Sequence, residues 1–230
     1  MPSEVPEEAA VSTAATVAAA VDSRPHLVDG GRRSRKKQQT RQRLVDAADE
    51  LFATQGYEAT TTTDVAEAAD VAQRTLFRHF ASKEALLYAD MEDARLDLRD
   101  ALAAAGGASS AIHTVIQALL SLEANFAEHR ERRLLQARLA ATSPAVSGYF
   151  RAVIQAGWER EMIVAISDRL AVDPLEDPRP EILAGAAMSA CRAATRQWTA
   201  SGGSEDYLGL LQRSLESIRE IVDLRTAAAV

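Results

Sequence analysis

Residues Thr40 to Leu87 read TRQRLVDAADELFATQGYEATTTTDVAEAADVAQRTLFRHFASKEALL. This stretch sets apolar faces at helical spacing and closes each one with a turn or cap signal. Leu44, Ala47, Ala48, Leu51 and Phe52 fall at i, i+3, i+4, i+7 and i+8, one stripe of an amphipathic helix. Gly56 stands where the stripe ends, the usual place for a residue with positive φ, and Tyr57 is expected to pack back on the stripe. Thr61 is placed to cap a second short helix, with Asp64 at N3 completing a capping box and Val65, Ala66 and Ala69 facing inward. Asp70-Val71-Ala72 forms a tight connection to a third helix carrying Gln73 to Phe80. Leu76 and Phe80 turn inward there, which leaves Gln73, Arg74, Thr75 and Arg78 outside. Ser82 caps a fourth helix, with Lys83 in its first turn.

Two short helices joined by a tight turn, the second polar and basic outside, make a helix-turn-helix. The first residues of the second helix in such a motif reach base edges in the major groove. Gln bonds adenine bidentately, Arg bonds guanine, and Thr offers a methyl or a hydroxyl. A helix N-terminus with a lysine beside it suits a phosphate.

The stretch resembles the N-terminal domain of the TetR family of bacterial transcriptional regulators. The resemblance rests on Ala47-Ala48, Leu51-Phe52, Gly56-Tyr57, Thr60-Thr61, Val65-Ala66, Val71, Thr75 to Phe80 and Ser82-Lys83-Glu84. It implies that Thr61, Gln73, Arg74, Thr75, Arg78, His79 and Lys83 form the DNA-contacting set. Three positions depart from the family pattern. Asp70 stands where Gly is usual in the turn. Ala72 often has Ser, so the third helix lacks a good side-chain cap. Phe77 stands where Tyr is usual and has no hydroxyl for a phosphate, so it is not counted as a contact.

Alanine is abundant and aromatics make up 5% of the 230 residues. No strand-like alternation of useful length occurs, and no apolar run approaches the ~18 residues of a membrane span. The expectation is an all-α protein: a three-helix DNA-binding head followed by a larger helical body for ligand binding and dimerisation. The boundaries read as a tail at 1–31, the head with its basic arm at 32–87, and the body at 88–230.

The net charge of −7 is unevenly spread. From Arg32 to Phe80 nine Lys or Arg stand against seven Asp or Glu, so this region is +2 and the remainder −9. Basic charge is concentrated at the DNA-reading end. Residues 32–43 carry seven positive charges and no negative ones. They read either as a solvated charge run or as a flexible arm in which Arg32, Arg33, Arg35, Lys36 and Lys37 follow phosphates. The tail at 1–31 is acidic and short of large apolar side chains, which predicts disorder, with transient helix at most. Glu4, Glu7 and Glu8 precede its mild apolar run, so it does not read as a signal peptide. A lone cysteine, Cys191, forms no internal disulfide and fits a reducing cytoplasm.

In the body, one helix is expected from Lys83 to about Ala105, ended by Gly106-Gly107. Others are expected over 110–128, 131–140, Ser143 to Leu170, 181–200 and 205–224. Gly185, Ser189 and Ala193, four apart, make a small-residue face. Leu208, Leu211, Leu215, Ile218 and Val222 alternate steps of three and four, a seam for a left-handed helix pair. The seam fits packing within the chain or a dimer interface. The family resemblance implies that the last two helices of each subunit form a four-helix bundle across a two-fold axis. Gly185 and Ser189 and the five seam residues are therefore the interface candidates.

A regulator needs a second site that biases the heads. Phe126, Phe150, Trp158, Met162 and Met188, with His113 and Arg138, are candidates for an apolar pocket with a few polar groups. Each also reads as ordinary core. The segment ERRLLQARLAATSPAV and the helices bearing Trp158 and Trp198 resemble actinobacterial family members with an acyl-CoA-type ligand domain. That resemblance implies an acyl thioester or other large lipophilic small-molecule effector; no cofactor is expected. The expected function is a ligand-responsive repressor that binds a pseudo-palindromic DNA operator as a homodimer. An effector-independent activator or architectural DNA binder would use the same head. An acyl-thioester enzyme would need a convergent polar constellation. The chain has no HExxH, GxSxG or Gly-rich phosphate loop, and its four histidines are scattered, so neither catalytic nor metal residues are expected.

Overall fold

The computed structural model describes residues 26–105, 110–122 and 129–227, with side chains over 34–105, 110–122 and 129–220. Every regular element among these residues is helical. The head comprises α1 (His26–Thr54), α2 (Thr62–Ala68), α3 (Gln73–His79) and α4 (Lys83–Leu87). The body comprises α5 (Ala89–Ala104), α6 (Ala111–Leu122), α7 (Arg130–Thr142), α8 (Pro144–Tyr149), a π-helical segment (Phe150–Gln155), α9 (Ala156–Leu170), α10 (Arg179–Ala200) and α11 (Tyr207–Ala227).

The head is built by local rules. Leu44, Ala48, Phe52, Val65 and Leu76 are buried on the inner faces of α1, α2 and α3, and Phe80, just past the end of α3, is buried with them. Tyr57 packs on Phe52 with ring centroids 5.0 Å apart. Thr61 accepts from the Asp64 amide at 3.1 Å while Asp64 accepts from the Thr61 amide at 2.8 Å, a complete capping box. Gly56 adopts φ +88°. Asp70 adopts φ +51° in the turn before α3, a left-handed conformation that Asp tolerates better than most residues. Ala72 gives α3 no side-chain cap, as its methyl must.

Three expectations are corrected. The basic segment 32–43 is not a flexible arm. It belongs to α1, which begins at His26, so part of the expected tail is also helical. Arg, Lys and Gln are strong helix formers, and the Thr40 hydroxyl donates back to Lys36 O at 3.0 Å. Residues 1–25 and the Gly106-Gly107 break lie outside the described residues. Lys83 to Ala105 is not one helix. It breaks at Tyr88 (φ −103°, ψ +20°), which ends α4 and starts α5. The helix expected from Ser143 to Leu170 carries the π-helical segment in its middle.

In the body, α10 packs along α9 and α11, and α5 along α6 and α9. Trp158 donates Nε1–H to Met91 O at 3.1 Å, tying α9 to α5. No described helix is long and apolar enough to cross a membrane.

Candidate nucleic-acid interface and ligand cavity

The outer face of α3 carries Gln73, Arg74, Phe77 and Arg78, all exposed, with Thr75 and His79 partly so. Gln73 Nε2 donates to Thr63 Oγ1 at 2.9 Å, bridging the two helices of the motif and fixing the amide's direction. Thr61 accepts in its cap, which leaves its O–H free to donate outward. Lys83 has a first task inside the head. Its ammonium donates to Tyr57 O at 2.9 Å and Thr60 O at 3.1 Å and lies 4.1 Å over the Tyr57 ring. Arg35, Lys36 and Lys37 are exposed along the first half of α1. Arg32 and Arg33 continue the same helix, with side chains outside the described residues. Partial burial, and then the charges of Arg78, Lys37 and Arg41, hold His79 below the usual imidazole pKa. The basic half of α1 and the end of α3 therefore share one electrostatic field.

Head and body are joined by side chains from α7. Arg132, 9% exposed at its side chain, pairs with Asp49 of α1 and with Asp90 of α5 at 3.1 Å. It also donates to Leu86 O at 2.6 Å and Leu87 O at 3.0 Å, the carbonyls at the end of α4. Gln136, one turn on, donates to Leu87 O and Asp90 Oδ1, each at 2.8 Å. Arg41 of α1 adds bonds to Ala89 O at 3.1 Å and Asp93 at 2.7 Å while lying over the Phe80 ring. These partners were not found from sequence. The signal was present in the ERRLLQ run, whose Arg132 and Gln136 fall one turn apart on the inward side of a helix.

The same face of α7 borders a cavity of about 940 Å³ in the body. Phe150, Ile154, Trp158, Met188, Trp198 and Leu211 supply much of its apolar wall, and Tyr88, Gln136, Cys191 and Thr195 add polar groups. Arg151, Arg192 and Arg196 line it and are exposed, so they stand at its rim. The π-helical segment forms part of the wall through Phe150, Arg151, Ile154 and Gln155. Wide helical turns of this kind are common at functional sites.

Of the seven residues expected to contact a ligand, Phe150, Trp158 and Met188 line this cavity. Met162 is wholly buried core. Arg138 is exposed away from the cavity. His113 is directed to α11, where its Nδ1 lies 3.0 Å from Arg219 Nη2. Phe126 lies outside the described residues. The seam on α11 is also corrected in part: Leu211 and Leu215 are 1% and 0% exposed and pack inside their own chain. Ile218 is half-buried against the core, and the Val222 side chain lies outside the described residues. Leu208 is exposed, as are Ile182 and Ser189 on α10. A Cβ added at Gly185 would meet nothing within 4 Å, so this small residue is not needed for packing within the chain.

Residues 44–89 match the family described as bacterial regulatory proteins of the tetR family, and residues 109–223 match the MftR C-terminal domain. The chain is 30% identical over 187 residues to a Mycobacterium tuberculosis protein named as the mycofactocin biosynthesis transcriptional regulator MftR, covering 76% of this chain and 85% of that one. It is 57% identical over 54 residues to the HTH-type transcriptional regulator TcmR of Streptomyces glaucescens, 24% of each chain. Among solved structures, Thermus thermophilus FadR in complex with lauroyl-CoA superposes with a TM-score of 0.51 at 22% identity, covering 76% of this chain and 91% of that one. Bacillus subtilis FadR in complex with stearoyl-CoA gives 0.50 at 18% identity, covering 76% and 95%. These two likenesses concern the fold. With a helix-turn-helix at one end and an MftR-type domain over the other half, the chain belongs to the TetR family of bacterial transcriptional regulators.

Proposed function

We propose that this regulator is a repressor that holds a pseudo-palindromic operator as a homodimer and releases it when an acyl-CoA-like or similar lipophilic effector enters the body. The observation that carries the reading is the position of α7. One turn of it grips the head through Arg132 and Gln136, and the same helix walls the 940 Å³ cavity. An occupant that displaces α7 must also displace the carbonyls of Leu86 and Leu87, and with them α4 and the helix-turn-helix.

On the DNA side, Gln73, Arg74, Thr75 and Arg78 read bases, while Thr61, His79, Lys83 and the basic half of α1 meet phosphates. The basic half of α1, being helical, presents the exposed Arg35, Lys36 and Lys37 to the backbone from a helix and not from a strand threaded into the minor groove, with Arg32 and Arg33 on the same helix. Lys83 keeps one donor for a phosphate after its two carbonyl bonds. The apolar wall and the arginine rim support an amphiphile with an acidic headgroup. The lauroyl-CoA and stearoyl-CoA held by the two FadR proteins have that character.

The dimer uses the outward side of α10 and α11, with the exposed Ile182, Ser189 and Leu208 and the half-buried Gly185 as contact residues. Gly185→Arg finds open space in the single chain and would convert the dimer to a monomer in analytical ultracentrifugation. A variant that stays dimeric removes this surface from the reading. The function itself is tested by selecting duplexes from a random pool with purified protein. A two-fold symmetric site with half-sites about one helical turn apart is expected. No preference for any duplex refutes it.

A further inference from the structure

Tyr88 is a polar group that the cavity's own walls leave unserved. It is among the residues that border the cavity and is 1% exposed, and its hydroxyl is buried with no hydrogen-bond partner among the described residues. Neighbouring polar groups of the wall are engaged: Gln136 with Leu87 O and Asp90, Trp158 Nε1 with Met91 O, and Gln155 with Glu159 at 2.8 Å. The phenol ring is held in place by stacking on Tyr149 at 6.1 Å and a tilted contact with Phe150 at 5.6 Å, so the hydroxyl has no easy path to solvent. A buried hydroxyl without a partner carries its full desolvation penalty. Burial, and then the charge of Asp90, push the phenol's pKa up, so it stays protonated and is a donor in want of an acceptor.

The surroundings define the acceptor. The Tyr88 ring packs against Tyr149 and Phe150, and the buried arginine of the wall, Arg133, is already paired with Asp90 at 3.4 Å, whereas Arg151, Arg192 and Arg196 are exposed at the rim. An amphiphile whose acidic head rests on that rim places an uncharged part of itself at Tyr88. Tyr88 is also the residue at which α4 ends and α5 begins, beside carbonyls held from α7. We propose that the Tyr88 hydroxyl donates a hydrogen bond to the uncharged carbonyl oxygen of an acylated effector, so that the acyl group is recognised at the joint between head and body. This rests on the reading of the cavity as an effector site.

The test is calorimetric titration of the full-length protein and of Tyr88→Phe with lauroyl-CoA and with S-dodecyl-CoA, a thioether of the same chain and headgroup without the carbonyl oxygen. The wild type is expected to prefer lauroyl-CoA by about tenfold, and Tyr88→Phe to lose that preference by weakening lauroyl-CoA alone. The ligand-free variant should melt at the wild-type temperature or above it, since an unpaired buried hydroxyl has been removed. Equal binding of the two compounds by the wild type overturns the assignment and leaves the effector reading standing. A preference retained in Tyr88→Phe, or a ligand-free Tm several degrees lower, overturns it as well, the latter by showing that the hydroxyl already has a partner in the protein. A wild type that binds neither compound refutes the effector reading, and this proposal falls with it.

Discussion

Head and body use their buried polar groups differently. In the head, Thr60, 1% exposed, donates to Gly56 O at 2.8 Å and accepts from Gln55. The Tyr57 hydroxyl donates to Glu84 at 3.1 Å, and Lys83 closes the loop between α1 and α2. In the body, the hydroxyls of Tyr88, Thr114 and Ser167 are buried without partners among the described residues, one stretch is π-helical, and a large cavity opens beside it. The head is a finished unit whose internal bonds are satisfied before DNA arrives, so it transmits force without deforming. The described part of the body is left with unmet bonds and unfilled space, which is what the proposed effector response requires.

The largest effect is expected where the two regions meet. Arg132→Ala leaves Asp49, Asp90 and two carbonyls without their shared donor, and should cost about 3–5 kcal/mol in urea denaturation. A loss below about 1 kcal/mol would mean that head and body are not joined there. A change confined to the head's outer face should do the opposite, altering recognition and leaving stability intact. Arg74→Ala is expected to relax base preference at one step by about 1–3 kcal/mol in a randomised-site selection, with Tm unchanged. An unaltered preference removes Arg74 from the reading set. Thr61→Ala probes the local rules that make the head stiff. Loss of the capping box should cost about 1 kcal/mol, and a neutral result would make α2 dependent on tertiary packing alone.

The smallest effect is a pH slope. Burial and the nearby cations hold folded His79 below the imidazole's ordinary 6.5. The unfolded chain therefore takes up the proton first, and stability falls as pH drops below about 6.5 toward the folded value. His79→Gln should flatten that part of the stability-against-pH curve relative to the wild type. Identical curves would show that His79 is not held in the field of Arg78, Lys37 and Arg41.

The contrast between the regions also explains what could be read from the chain alone. In the head, caps, turns and apolar stripes act within a few residues of one another. The Thr61 capping box, the Ser82 cap and the positive φ of Gly56 therefore appear where the spacing put them. The break at Tyr88 was hidden because Lys83 to Ala105 is good helix sequence throughout. The donors that hold Leu86 O and Leu87 O come from α7, more than forty residues away. In the body, apolar periodicity tells which side of a helix faces inward, not whether the space there is filled. Met162 and Trp158, four apart on one helix, could not be sorted into core and cavity wall by that rule. The α11 seam carried the same ambiguity, and Leu211 and Leu215 proved to serve their own chain.

The most direct test of the account is the affinity of the full-length protein for its selected duplex, followed by fluorescence anisotropy at fixed salt as lauroyl-CoA is added. DNA affinity is expected to fall by at least tenfold as the cavity fills, with Arg132→Ala weakening that response. Saturable binding of lauroyl-CoA with no change in DNA affinity would contradict it, since cavity and head would then be uncoupled.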